Sequence, residues 1–156
     1  MSRIGSLVCP IIVGRDDLLA RAEDWIAGTL KGEGRTLLLA GQAGVGKTRL
    51  AQAIYRKAEA AGIRVEGGSV SPEDRHVPFS SILELARTIR ADPAWGSLGA
   101  DILALGAGTR GDALGRRRTL VLDMADRIAA AVDRPTLVSF EDLQWNDELS
   151  LEVIGE

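Results

Sequence analysis

Gly41-Gln42-Ala43-Gly44-Val45-Gly46-Lys47-Thr48 (GQAGVGKT) fits without interruption the phosphate-loop pattern of glycine, four free positions, glycine, lysine and serine or threonine. The chain holds only three lysines in 156 residues, so its composition yields about 0.004 chance matches to the pattern. The flanks agree. Thr36-Leu37-Leu38-Leu39-Ala40 is a short apolar run of buried-strand type, and Lys47 to Ala61 carries apolar residues at helical spacing. Strand, glycine loop and helix is the order a phosphate cradle needs. Gly41, Gly44 and Gly46 free the loop backbone to turn its N–H groups inward. The helix start adds unpaired donors and the positive end of its dipole. Lys47 is then placed for the β- and γ-phosphates and the Thr48 hydroxyl for Mg²⁺. Gly41, Gly44, Val45, Gly46, Lys47, Thr48 and Arg49 are the candidate nucleotide contacts of this stretch. A glycine-rich turn before an ordinary helix would explain the glycines, but not the lysine and threonine at those offsets.

Length and charge bound the partners. A chain of 156 residues suits one domain, long enough to bury about two-thirds of its unfolded surface. The formal net charge of -3 gives no global basic field for nucleic acid or anionic lipid. Cys9, the one cysteine, excludes an internal disulfide and a cysteine metal cluster. It reads as a small buried apolar residue. Met1 to Ile12 lacks a signal-peptide pattern, and no apolar run approaches membrane-spanning length. A soluble, cytoplasmic chain is expected.

Asp16 to Leu30 has a helical apolar face ended by Gly32 and Gly34, and the helix after the phosphate loop stops at Gly62. Ile63 to Val70 (IRVEGGSV) reads as a strand weakened by paired glycines. Phe79 to Ala91 and Arg116 to Val132 read as further helices, with the Gly- and Ala-rich stretch Pro93 to Gly115 between them left without an assignment. Strands alternating with helices point to an α/β domain with a parallel sheet, whose ligands sit at the carboxyl ends of strands.

Thr136 to Phe140 (TLVSF) is a strand with Glu141 and Asp142 at its carboxyl end. Such an acidic pair is what a phosphate loop requires: one acid for Mg²⁺, and a neighbour to orient or deprotonate the attacking water. By position, Glu141 takes the metal role and Asp142 the water role. Without the phosphate loop, the same acids would read as a helix cap or an acidic turn.

Val138-Ser139-Phe140-Glu141-Asp142-Leu143-Gln144-Trp145-Asn146-Asp147 resembles the extended Walker B segment of STAND-class P-loop ATPases, in particular the ATPase module of large LuxR-type bacterial regulators. Val13-Gly14-Arg15-Asp16 resembles the segment that opens this module and packs against adenine. Glu141 stands where many relatives have Asp, and Gln144 where His is frequent. The resemblance implies nucleotide contacts at Val13, Gly14 and Arg15, bound ATP or ADP with Mg²⁺, and slow hydrolysis that resets a transcriptional switch. It also implies a parallel-sheet P-loop core that continues into a sensor strand, a lid and a DNA-binding helix-turn-helix. Residues 1–156 are therefore expected to be a partial P-loop ATPase domain, truncated before the sensor strand and lid. DNA contact would come only through absent segments, and ATP-dependent self-association would belong to the full-length protein. In the family's sheet order, a later strand inserts between Leu37–Ala40 and Thr136–Phe140, so poor amide protection is expected at Leu37–Ala40.

Other residues have plainer readings. Trp145 reads as packing, Asp147 as a helix cap, Arg116-Arg117-Arg118 as a solvated face and His76 as part of a polar loop. Two other functions fit the same loop. A small-molecule kinase would need a substrate pocket and an arginine-rich lid, and the paired acids favour water as acceptor instead. A nucleotide-binding interaction module would bind without hydrolysis, the state expected of this partial chain, whose ATPase activity is expected to be weak or absent outside the intact module.

Overall fold

The computed structural model describes residues 14–90, 95–107 and 113–156. Cys9 and Val13 lie outside the described residues. Two compact units divide between Ile63 and Arg64.

In the first unit, α1 (Asp16–Thr29) places Asp16 and Asp17 in its first turn, at the positive end of the helix dipole. α2 (Lys47–Ala60) buries Leu50, Ala51, Ala53, Ile54 and Ala58, residues that share a face at helical spacing. Its end follows from Gly62, whose φ of 85° only glycine adopts freely. There the Ile63 N–H donates to the Ala58 carbonyl and the Gly62 N–H to the Glu59 carbonyl, both at 2.9 Å, which satisfies two orphan carbonyls of the last turn. α1 packs on α2, and Lys57 Nζ meets Glu23 Oε1 at 2.5 Å between them.

Thr36–Ala40 departs from expectation: it is not a β-strand, and among the described residues nothing pairs with it. Leu37 is 38% exposed and Leu38 71%. An apolar run becomes a strand only when a neighbour takes up its N–H and C=O groups. No local feature of the run supplies one.

The second unit is built on β1 (Arg64–Ser69) and β2 (Thr136–Glu141), paired in parallel from Arg64 opposite Thr136 to Ser69 opposite Glu141. Parallel neighbours need a long crossover, and here it contains α3 (Ser80–Ile89), α4 (Gly96–Ala107) and α5 (Ala113–Ala131). α6 (Glu148–Gly155) follows β2. α3 is the hub, packing on β1, α4 and α6. Its Ile82, Leu85, Ala86 and Ile89 join Phe79, Trp95, Leu98, Ile102, Val121 and Met124 in one core. No helix among the described residues is long and apolar enough to cross a membrane.

α4 lies within the stretch left unassigned by pattern. Its apolar residues do recur helically, at Leu98 and Ile102 after Trp95, but the helix contains Gly99, a poor helix former. The glycine is needed for packing: a Cβ there would lie 2.5 Å from the Ala86 carbonyl oxygen and 3.0 Å from the Arg90 nitrogen, both backbone atoms of the α3 region. Gly99→Ala is therefore expected to lose about 1–3 kcal/mol of unfolding free energy through overpacking, despite alanine's better propensity. Urea denaturation checks this; an unchanged midpoint would show that α4 withdraws from α3 without cost.

Candidate functional site

The first unit carries the loop Gly41–Thr48. Gly44 and Gly46 hold φ of 76° and 91°, the left-handed region that L side chains avoid. Gly46 is also the N-cap of α2. Among the described residues, no backbone carbonyl accepts from the N–H groups of Gly44, Gly46, Lys47 or Thr48. These donors, gathered at a helix start, make an anion-binding concavity. The Lys47 ammonium lies across the loop, with Nζ donating to the Gly41 carbonyl at 2.8 Å and to the Gln42 carbonyl at 3.0 Å. Thr48 is exposed in the first turn of α2 and Arg49 half-buried beside it.

Gly14 precedes α1 with φ of 70°, and Arg15 is the helix N-cap. The Arg15 guanidinium donates through Nη2 to the Val45 carbonyl at 3.1 Å. A pocket of about 240 Å³ opens alongside, lined among others by Arg15, Arg21, Trp25, Leu38, Val45 and Lys47. The Arg21 guanidinium carbon stands 5.7 Å from the centre of the Trp25 ring, within cation–π range. Neither Arg21 nor Trp25 is signalled by a motif. Only their spacing of four on a helix places them together.

The acidic pair belongs to the second unit. Glu141 is the last residue of β2 and is half-buried; Asp142 is exposed. Asp142 turns the chain with φ 56° and ψ 41°, left-handed values that few non-glycine residues take. Its carboxylate accepts from Gln144 Nε2 at 3.0 Å, and its carbonyl from the Trp145 N–H at 2.9 Å. Trp145 is half-buried in the 3₁₀ turn Leu143–Trp145.

Asp147 caps α6, as the sequence suggests, with its side chain accepting from the Leu149 and Ser150 N–H groups. It also caps α3. The same carboxylate accepts from the Phe79 N–H at 2.9 Å, the Ser80 N–H at 3.0 Å and the Ser80 hydroxyl at 3.1 Å. Burial opposes its ionisation, but hydrogen bonds from Ser150, Phe79 and Ser80 outweigh it and hold the carboxyl below its ordinary value. His76 is exposed in the 3₁₀ turn Pro72–His76, and Arg118 pairs with Glu156 at 3.1 Å on the surface.

No curated protein and no solved structure matches the chain. A family model described as the AAA ATPase domain matches residues 11–156, a span that takes in the glycine loop, its lysine and the acidic strand end. The chain belongs to the AAA ATPase domain family and is a nucleotide-binding P-loop ATPase module.

Proposed function

We propose that residues 1–156 belong to the P-loop ATPase domain of a LuxR-type, signal-responsive transcriptional regulator of the cytoplasm, an intact module that binds ATP and slowly hydrolyses it to ADP as its switch. The observation that carries the nucleotide reading is the loop itself: two left-handed glycines, a set of backbone donors that no backbone carbonyl among the described residues takes up, and Lys47 bonded across to the Gly41 carbonyl. Gly41, Gly44, Val45, Gly46, Lys47, Thr48 and Arg49 are assigned to the nucleotide, with Gly14 and Arg15 next to it. Thr48 and Glu141 are assigned to Mg²⁺, and Asp142 to the attacking water. The donor set consists of hard oxygens, a hydroxyl and a carboxylate, which suits an ion that keeps several waters and takes few protein ligands. Mg²⁺, when bound, neutralises charge on the β- and γ-phosphates. Affinity that differs between ATP and ADP is the output of such a switch. The LuxR-type assignment rests on the resemblance of Val138–Asp147 and Val13–Asp16.

Lys47→Ala tests the loop. The lysine's charge-assisted contacts are worth about 1.5–3 kcal/mol, so ATP affinity is expected to fall tenfold or more. Titration calorimetry with and without Mg²⁺ reads this directly. Unchanged affinity in the variant would remove Lys47 from the site, and a wild-type chain that binds neither ATP nor ADP would end the nucleotide reading.

A further inference from the structure

We infer that Arg15 is a positioning residue that sets the orientation of one peptide unit in the phosphate loop. This rests on the nucleotide reading of that loop. In a planar trans peptide the carbonyl and the following N–H point in opposite directions. The carbonyl that Arg15 holds, that of Val45, therefore fixes where the Gly46 N–H points. That unit is easily overturned. It rotates on the ψ of Val45 and the φ of Gly46, and glycine populates both signs of φ at little cost. Gly44, on the other side of Val45, is a second left-handed glycine. The loop's own restraint is slight, since among the described residues no backbone carbonyl accepts from the Gly46 N–H and no backbone N–H donates to the Val45 carbonyl.

Overturned, the unit would present the Val45 oxygen to a phosphate and turn the Gly46 donor away. Arg15 opposes that turn with the planar donor fork of its guanidinium. It does so from the N-cap of α1, a helix anchored on α2. The separation of 30 positions between Arg15 and Val45 hides this role from any local motif.

The competing role is direct contact between Arg15 and the nucleoside, and the two separate by ligand. Wild type, Arg15→Ala and Arg15→Lys are titrated with inorganic tripolyphosphate, ATP and adenosine. Positioning predicts that Arg15→Ala weakens tripolyphosphate and ATP by the same factor, about tenfold, and leaves adenosine unchanged. Arg15→Lys, which keeps one charged donor, recovers part of the loss. In amide NMR, the shift of the Gly46 N–H resonance on adding tripolyphosphate is large in wild type and shrinks in Arg15→Ala. Unaltered tripolyphosphate affinity in Arg15→Ala, or a loss of adenosine affinity equal to that of ATP, overturns the inference. If wild type binds neither ATP nor tripolyphosphate, the nucleotide reading fails first and takes this one with it.

Discussion

In the full ATPase module, Asp142→Asn is expected to bind ATP as wild type does while single-turnover hydrolysis slows by about 10²–10⁴-fold, the contribution of a positioned general base. The substitution is chosen for the backbone as much as for the charge. Asp142 sits in left-handed conformation, and asparagine is among the few residues that tolerate it, so the turn into Leu143–Trp145 survives. The amide cannot take a proton from water. Glu141→Gln is expected to behave differently, weakening the Mg²⁺ dependence of ATP affinity because a neutral amide is a poorer ligand for a hard cation. Quench-flow measurement of phosphate release and calorimetry across a Mg²⁺ series distinguish the two. Exchanged phenotypes would reverse the roles assigned within the pair.

Asp147→Ala is expected to cost about 2–4 kcal/mol of stability, because two helix N-termini lose their cap at once. A single cap is worth about 0.5–2 kcal/mol, and the Phe79, Ser80 and Ser150 donors left behind are buried. Acid should expose the same dependence. The folded carboxyl lies below its ordinary value, so its stabilisation is complete above the unfolded value of about 3.9 and is lost as pH falls through the folded one. Between about pH 5 and pH 3, wild type should lose unfolding free energy more steeply than Asp147→Asn. Guanidinium denaturation across that range measures it. Parallel slopes would mean that Asp147 is not ionised in its double cap.

Most helices were legible because their information is local. The faces of α1, α2, α3 and α5 recur at helical spacing, and α6 announces itself through the Asp147 cap. β1 and β2 were legible as short runs between breakers, and the acids at the end of β2 as a break in an apolar run. Thr36–Ala40 looked no different from these, yet a strand is defined by a partner, which a run cannot contain. α4 was hidden by Gly99, whose missing side chain lowers helix propensity for the sake of contact with α3. The second role of Asp147 joins residues 67 and 68 positions apart, and that of Arg15 spans 30. Such links follow from tertiary structure alone. The phosphate loop, by contrast, needs each of its residue types within eight positions, and so it was read whole.

The backbone at Asp142 sets stability against chemistry. Glycine would occupy φ 56° without the steric penalty of a Cβ, a gain of about 1 kcal/mol, and nothing in the conformation itself calls for an acid. A screen that rewards thermal resistance alone would therefore drift toward glycine at this position and discard the carboxylate. Selection for turnover would pull it back. Under the role proposed for Asp142, position 142 is where a more durable version of this chain and a more active one part company.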